Sequence, residues 1–176
     1  MPIDTGQPVP RALWKQMGEL GWLGLTTPEE YGGGGAGMSE LAIVCEELAA
    51  VGTPLLLILV SPAICAELIK HFGTDAQKAT FLRPMAAGRK MVFAITEPDA
   101  GSNSHNIATT ATRDGGVYRV NGSKMWITNA RHGDTFLLLA KTDPAAKPAH
   151  RGMSAFMIEK GAPGMTVSRD IDKLGY

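Results

Sequence analysis

The change in hydrophobic periodicity near residue 90 is the feature that most constrains the fold of this chain. Before it, apolar residues recur at intervals of three and four, as between Leu13 and Leu20, which is typical of amphipathic helices. After Lys90, short apolar runs alternate with turn residues, which is typical of strands. We therefore expect an α+β fold, with an N-terminal α-helical domain over residues 1–89 and an antiparallel β-barrel or β-sandwich domain over residues 90–176.

The longest apolar stretch of the first half lies between Glu47 and Glu67, where no residue is charged. A helix that spans a membrane needs roughly 20 such residues. Pro54 and Pro62 interrupt the stretch, and each fits the first turn of a new helix. The sequence therefore predicts two shorter buried helices, and no membrane span.

Capping residues predict the ends of two further helices. Ser39 is expected to cap one helix at its N-terminus. Thr74 and Gln77 have the spacing of a capping box, and Pro84 predicts that this second helix ends at Arg83.

Consecutive glycines from Gly32 to Gly35 resemble a phosphate-binding loop. No lysine follows them at the spacing of a P-loop, so we interpret them as a flexible connection.

The second half contains apolar runs that are expected to form short strands, separated by turn signals such as Asp114-Gly115-Gly116 and Asn121-Gly122. No Gly-x-Gly-x-x-Gly follows a strand, so binding of a dinucleotide in the Rossmann manner is disfavoured. The expected strands cover residues 91–96, 109–112, 117–120, 124–128, 135–140, 154–158 and 165–168.

Charge and termini exclude several classes of partner. Lysine plus arginine and aspartate plus glutamate both number 17, so the sequence predicts neither a basic surface for nucleic acid nor a polybasic membrane segment. Apolar residues make up 44% of the chain, enough for a buried core. The opening MPIDTGQPVP lacks an apolar signal core and the arginines of a transit peptide, so we expect a cytoplasmic protein.

Cysteines and histidines give no sign of a disulfide or a metal centre. Cys45 and Cys65 lie in apolar, helix-like surroundings and are expected to be reduced and buried. The histidines are scattered, with no two at ligand spacing, so the sequence predicts no metal site. They are His71, His105, His132 and His150.

The stretch FAITEPDAGSNS, residues 93–104, begins as a strand and then breaks abruptly. Gly101 allows a ligand to approach the backbone closely, and the amides of Gly101 and Ser102 with the Ser102 hydroxyl can donate to phosphate oxygens. Thr96 adds a hydroxyl just before the break. The alternative is a tight turn in which Glu97 and Asp99 are only solvated, and the residues alone leave both interpretations open.

A second stretch, Lys124-Met125-Trp126-Ile127-Thr128-Asn129, places an indole and a hydroxyl two residues apart. On a strand, Trp126 and Thr128 would share one face and suit a flat heteroaromatic ring. The alternative is a tryptophan in the β core, which this pattern taken alone favours.

Together, these two stretches resemble the acyl-CoA dehydrogenases. The likeness extends over essentially the whole chain, because further family landmarks occur in the family's order. They are residues 10–14 (PRALW), 24–33 (GLTTPEEYGG), 72–78 (FGTDAQK) and 172–175 (DKLG).

The resemblance implies FAD as the cofactor and a fold with a further, C-terminal helical domain. It implies that Thr96 contacts the pyrimidine edge of the flavin and that Gly101 and Ser102 lie at the FAD pyrophosphate. By the same resemblance, Trp126 packs beside the flavin ring and Thr128 donates to flavin N5. Phe93 and Ile95 complete the expected cofactor-binding residues, and Ser102 is also the expected substrate contact.

The resemblance further implies dehydrogenation of an acyl-CoA thioester to a trans-2-enoyl-CoA, with an electron-transfer flavoprotein as acceptor and a homotetramer or homodimer as the full-length enzyme. Glu97 is rejected as the catalytic base because its family counterpart belongs to the turn. The family's base lies beyond Tyr176, so no catalytic residue is expected here and the chain is expected to be a fragment. Asn103 replaces the family's usual aspartate.

Two alternatives to this function stay open. An acyl-CoA oxidase or a flavin monooxygenase could use the same fold with oxygen as the acceptor. A truncated chain without turnover would be at most a weak binding module.

Overall fold

Helices precede strands along the chain in the computed structural model, which describes residues 10–53 and 56–168. The α-helices are α1 (Arg11–Glu19), α2 (Met38–Ala50), α3 (Leu56–Phe72) and α4 (Asp75–Ala86). The strands are β1 (Met91–Ala94), β2 (Thr110–Asp114), β3 (Val117–Asn121), β4 (Thr135–Lys141) and β5 (Met153–Glu159). The predicted order of a helical part followed by a sheet part is confirmed.

Among the described residues, strand β4 lies at the centre of a five-stranded sheet. It runs parallel to β1, with Met91 opposite Thr135, and antiparallel to β5. Strand β2 runs parallel to β4 where Thr110 meets Lys141. Strand β3 forms a hairpin with β2 and lies at the edge of the sheet. The sheet is therefore mixed.

The prediction of an antiparallel barrel or sandwich is wrong, because the sheet is neither purely antiparallel nor closed on itself. An apolar run indicates that a segment is a strand, but it does not fix the direction of the partner strand. The chain between β1 and β4 includes the β2–β3 hairpin and two loops, which is long enough for β4 to return and run beside β1 in the same direction.

Two of the expected strands, 124–128 and 165–168, do not form. Trp126 and Asn129 have φ angles of 59° and 63°, in the left-handed region that a strand excludes. The turn signal at Asn121-Gly122 does not separate two strands, because no strand follows β3 before β4. Gly122 instead packs its backbone against Thr109, where a Cβ atom would collide with the threonine side chain.

Two of the three predicted proline breaks are wrong. Pro62 lies inside α3 and Pro84 lies inside α4. A proline in a helix removes one backbone hydrogen bond at a cost of about 3 kcal/mol. Pro62 is buried and lies beside Cys65 and Ala66, which are completely buried, so packing of the helix outweighs the loss. Within residues 10–53 and 56–168, no helix combines the length and apolar character needed to cross a bilayer. Pro54 lies outside the described residues.

The capping prediction is confirmed for α4 and is wrong for α2. The Thr74 amide donates to Gln77 Oε1 at 2.9 Å and the Gln77 amide donates to Thr74 Oγ1 at 3.2 Å, which confirms the capping box of α4. Ser39 does not cap α2, because this helix begins one residue earlier, at Met38. The side chain of Glu40 caps it instead, accepting a hydrogen bond of 2.8 Å from the amide of Gly37.

The turn from Gly32 to Gly35 is neither a phosphate loop nor a loose connection. All of its amides donate to backbone carbonyls, those of Glu29, Pro28, Gly24 and Thr27 in order. A Cβ atom on Gly33 would collide with the carbonyl oxygen of Thr27. The glycines therefore let two backbone segments pack tightly, and they leave no amide for an anion.

Helices α3 and α4 position the sheet. They pack on β1 and β4 through one cluster of buried side chains, and contacts around α1 fasten the start of β1. The indole nitrogen of Trp14 donates to the Gly88 carbonyl at 2.6 Å, and Lys90 Nζ lies 4.9 Å from the centroid of the same ring. The cluster comprises Cys65, Ala66, Ile69, Leu82, Met85, Met91 and Leu137. This packing fixes β1, the strand in which the first motif, residues 93–104, begins.

Both cysteines are free thiols. Cys65 is completely buried, and burial raises the pKa of its thiol to about 12, so it is unreactive at neutral pH. Cys45 is only half-buried, and burial raises its pKa as well.

Replacing Thr27 by valine should stabilise the protein. The side chain is fully buried, and its hydroxyl has no hydrogen-bond partner in the part of the chain that the structure describes. An unsatisfied buried hydroxyl costs about 1–3 kcal/mol, and valine has nearly the same shape. We expect the free energy of unfolding, measured by urea denaturation, to rise by about 1 kcal/mol.

Thr109→Val is the matched control. Thr109 is equally buried, but its hydroxyl donates to Glu97 at 2.5 Å. This variant should lose about 1.5–3 kcal/mol, since it removes a hydrogen bond to a charged group. A shift of the two variants in the same direction would contradict the assignment of Thr27 as unsatisfied.

Candidate functional site

A tight turn follows strand β1 and directs the chain towards the surface. Glu97 and Ala100 exchange two backbone hydrogen bonds of 3.0 and 3.2 Å. Pro98 stands at the first central position of this turn, where its fixed φ is favoured. Asp99 is exposed and Ala100 is buried. From Gly101 onwards, the chain continues as an exposed segment.

The carboxylate of Glu97 is buried, with only 6% of the residue exposed. It accepts hydrogen bonds from the Ala108 amide at 2.5 Å, the Thr109 amide at 3.1 Å and the Thr109 hydroxyl at 2.5 Å. Lys124 Nζ completes the set at 2.7 Å. The alternative interpretation, in which Glu97 is merely solvated, is therefore wrong.

These donors keep Glu97 ionised. Burial raises the pKa of the carboxyl group, but the hydrogen bonds from Lys124, Thr109 and the Ala108 amide outweigh it and lower the pKa to about 2. A carboxylate so acidic and so fully hydrogen-bonded is a poor proton acceptor at neutral pH. The structure thus supplies a physical reason for excluding Glu97 as a catalytic base.

The second motif lies directly against the first. The Met125 amide donates to the Thr96 carbonyl at 2.8 Å, and Lys124 Nζ donates to the Ile95 carbonyl at 3.0 Å as well as to Glu97. The two stretches are far apart in sequence, and the fold brings them side by side.

The backbone of the second motif is irregular, so the expected placement of Trp126 and Thr128 on one face of a strand is wrong. Trp126 has a left-handed backbone and 58% of the residue is exposed. Turns follow it, in which the Ala130 amide donates to the Ile127 carbonyl at 3.2 Å and the Gly133 amide donates to the Asn129 carbonyl at 2.8 Å. The indole is held out at the surface and does not belong to the β core.

The expected cofactor-binding residues occupy two environments. Phe93 lies in β1 and packs against the cluster shared with α3 and α4, a structural role. Ile95 and Thr96 follow the strand and are half-buried, as is Thr128. The exposed members of the set are Gly101, Ser102 and Trp126.

The two motifs together offer hydrogen-bond donors to a ligand. The amides of Gly101 and Ser102 donate to no group within residues 10–53 and 56–168, and the hydroxyls of Thr96, Ser102 and Thr128 find no partner there either. A Cβ atom on Gly101 would have no described atom within 4 Å, so the backbone is open to approach. These donors suit an anion such as a phosphate, and the exposed indole suits a flat aromatic ring. The residues present therefore fit a flavin nucleotide.

Sequence reasoning missed the residues that hold the site together. Lys124, Ala108 and Thr109 were not expected to converge on Glu97. Lys124 stands in the quoted motif, but a lysine is usually exposed, and only the fold shows that its side chain is 8% exposed and paired.

A double-mutant cycle should show strong coupling between Glu97 and Lys124. Glu97→Gln or Lys124→Met alone leaves one buried charge without its partner, which costs about 3–5 kcal/mol of unfolding free energy. Because the double variant removes both charges, it should lose clearly less than the sum of the single losses. Additive losses in urea denaturation would show that the pair does not couple.

Acid should weaken this part of the protein through Glu97. Its folded pKa of about 2 lies below the ordinary value of 4.5, so the stabilisation is present above about pH 4.5 and is lost as the pH falls towards 2. The full effect is about 3 kcal/mol. The difference in unfolding free energy between the native sequence and Glu97→Gln should shrink over this interval, and a difference independent of pH would contradict the assignment.

Two domains of one known protein family match this chain. The N-terminal domain of acyl-CoA dehydrogenases matches residues 2–89, and the middle domain of acyl-CoA dehydrogenases matches residues 92–176. Between them, the two matches span nearly the entire chain.

Individual relatives agree with the domain matches. The acyl-CoA dehydrogenase FadE12 of Mycobacterium tuberculosis is 48% identical over 155 residues, covering 88% of this chain and 40% of the relative. The mitochondrial isovaleryl-CoA dehydrogenase of Pongo abelii is 41% identical over 167 residues, covering 94% of this chain and 40% of the relative.

A solved structure shows the same fold. The crystal structure of an acyl-CoA dehydrogenase from Geobacillus kaustophilus superposes with a TM-score of 0.84 at 39% identity, covering 97% of this chain and 45% of that one. The chain thus spans less than half the length of these relatives. Since both domain matches and the structural likeness extend over almost all of its residues, the chain belongs to the acyl-CoA dehydrogenase family.

Proposed function

We propose that this chain forms the N-terminal and middle parts of an FAD-dependent acyl-CoA dehydrogenase, which converts an acyl-CoA thioester into a trans-2-enoyl-CoA. Family membership supports the reaction class. The observation that carries the proposal is the convergence of open donors and an exposed indole on the segments that Glu97 and Lys124 bind together.

The donors of the exposed segment would hold the nucleotide end of the cofactor. The amides of Gly101 and Ser102 would bind the pyrophosphate, where backbone donors stabilise negative charge without a lysine. Thr96 and Thr128 would donate to the edge of the flavin, Thr128 at N5. Trp126 would lie beside the ring.

Phe93 and Ile95 would contribute from β1 and from the residue that follows it. Phe93 packs in the core cluster, so it would act by fixing the strand more than by touching the ring. The Ile95 carbonyl accepts from Lys124, which ties the cofactor residues to the buried ion pair.

The chemistry divides between the cofactor and the protein. FAD, when bound, would supply an acceptor for the hydride from the β-carbon of the acyl chain. Ser102 would lie close to the acyl-CoA as well as to the pyrophosphate. Glu97 would not take the α-proton, since its oxygens are occupied by donors and its pKa is about 2. An electron-transfer flavoprotein would accept the electrons, and the full-length enzyme would be a homotetramer or homodimer.

FAD titration with a bulky substitution tests the proposed site. The isolated chain should bind FAD weakly, and Gly101→Val should reduce this affinity by at least about tenfold, since its side chain would cover the open backbone. Flavin fluorescence anisotropy measures the binding.

Gly116→Val is the matched control. A Cβ atom on Gly116 would likewise have no described atom within 4 Å, and this residue lies in the β2–β3 hairpin, away from the site. FAD affinity should be unchanged in this variant. Equal affinity of the Gly101 variant and the native chain would refute the proposed position of the pyrophosphate.

A further inference from the structure

Two histidines from distant parts of the sequence meet at the surface of the sheet domain. His105 lies in the short 3₁₀ turn Ser104–Asn106, and His150 lies in the 3₁₀ turn Ala149–Gly152. Their ring centroids are 5.5 Å apart and the ring planes are inclined by 39°. Both residues are exposed, so the rings are open to solvent on their outer sides.

The backbone is well anchored close to each of the two histidines. Ile107, two residues after His105, is completely buried. The Gly152 carbonyl, two residues after His150, accepts hydrogen bonds from the amides of Thr142 and Asp143 at 2.8 and 3.0 Å. A Cβ atom on Gly152 would collide with the Asp143 carbonyl, so the segment is tightly packed. The fold therefore fixes the backbone close to both histidines and brings their rings together.

The separation of the rings fits shared coordination of one ion. Imidazole nitrogens bind Zn²⁺ at about 2.0–2.1 Å, and two of them on a tetrahedral ion place their ring centroids roughly 5–6 Å apart. The observed 5.5 Å falls within that interval.

We propose that His105 and His150 form a two-histidine site for a divalent late-transition-metal ion such as Zn²⁺ or Cu²⁺, the ions that imidazole ligands favour. The sequence predicts no metal site because it shows no two histidines at ligand spacing, and the fold supplies the proximity that the sequence lacks.

The remaining coordination positions belong to water. Within residues 10–53 and 56–168, no group of three or more histidine, cysteine, aspartate or glutamate side chains could hold a metal. The site is therefore open and exchangeable, unlike the closed sites that stabilise folds. His105 follows Ser102 closely in the chain, so a bound dication would add positive charge next to the open donors of that segment.

Calorimetric titration of the 176-residue chain with ZnCl₂ tests the proposal. A Cys45→Ser background removes the half-buried thiol as a competing ligand. We expect one site, with His105→Ala and His150→Ala each weakening Zn²⁺ binding by at least about tenfold. The double variant should be little weaker than either single one, because one remaining imidazole no longer chelates.

His71→Ala is the matched control. His71 is exposed and contacts Glu67 at 3.1 Å on α3, away from the proposed site. Its replacement should leave Zn²⁺ affinity unchanged. Electron paramagnetic resonance of bound Cu²⁺ gives a second readout, in which two nitrogen ligands in the background protein should become one in either single variant.

Three results would overturn the proposal. They are no Zn²⁺ binding up to millimolar concentration, binding that survives loss of either histidine, and equal loss in the His71 variant. If the His105 and His150 variants instead weaken binding of inorganic phosphate and leave Zn²⁺ binding intact, the two rings form an anion site and the metal assignment fails.

Discussion

The buried ion pair between Glu97 and Lys124 is the constraint on which the candidate site depends. Glu97 belongs to the turn after β1, its other donors come from the segment just before β2, and Lys124 comes from the segment after β3. One carboxylate thus gathers three stretches of irregular backbone. Irregular segments have no ladder of backbone hydrogen bonds to fix their positions. A buried carboxylate needs hydrogen bonds from all its neighbours, and these bonds fix the segments instead.

The helices contribute to the site indirectly. Helices α3 and α4 pack on β1 and β4, and the Trp14 indole reaches the Gly88 carbonyl just before β1. Arg89 and Glu159 form a further ion pair, which links the approach to β1 with the end of β5. The helical part therefore acts as a support that fixes where β1 ends, and the exposed donors begin directly after the turn that follows.

Sequence patterns predicted local secondary structure better than the pairing of strands. The helical and strand periodicities and the capping box at Thr74 follow from short-range preferences. The parallel pairing of β1 with β4 does not, because the same apolar alternation serves either direction. Prolines at 62 and 84 suggested helix ends, but tertiary packing overrides an intrinsic preference of a few kcal/mol.

The candidate site, too, could be predicted only in part from the sequence. The resemblance named Thr96, Gly101 and Ser102, and the structure leaves their donors open, as a ligand site requires. The left-handed backbone of Trp126 could not be foreseen, since tryptophan rarely adopts it and the flanking residues read as a strand. The burial of Glu97 was equally hidden, because a glutamate beside a proline and an aspartate has the composition of a solvated turn.

The position of Trp126 also gives the protein an optical signal of its own. The other tryptophans, Trp14 and Trp22, belong to the helical core, with Trp14 only 7% exposed and Trp22 partly buried. Trp126 is the one with most of its surface in water, at 58%. Its emission therefore lies at longer wavelength than that of the core indoles, and a soluble quencher such as iodide reaches it first. Emission at the long-wavelength edge of the tryptophan spectrum, and its quenching, thus report mainly on this one surface and on whatever comes to cover it.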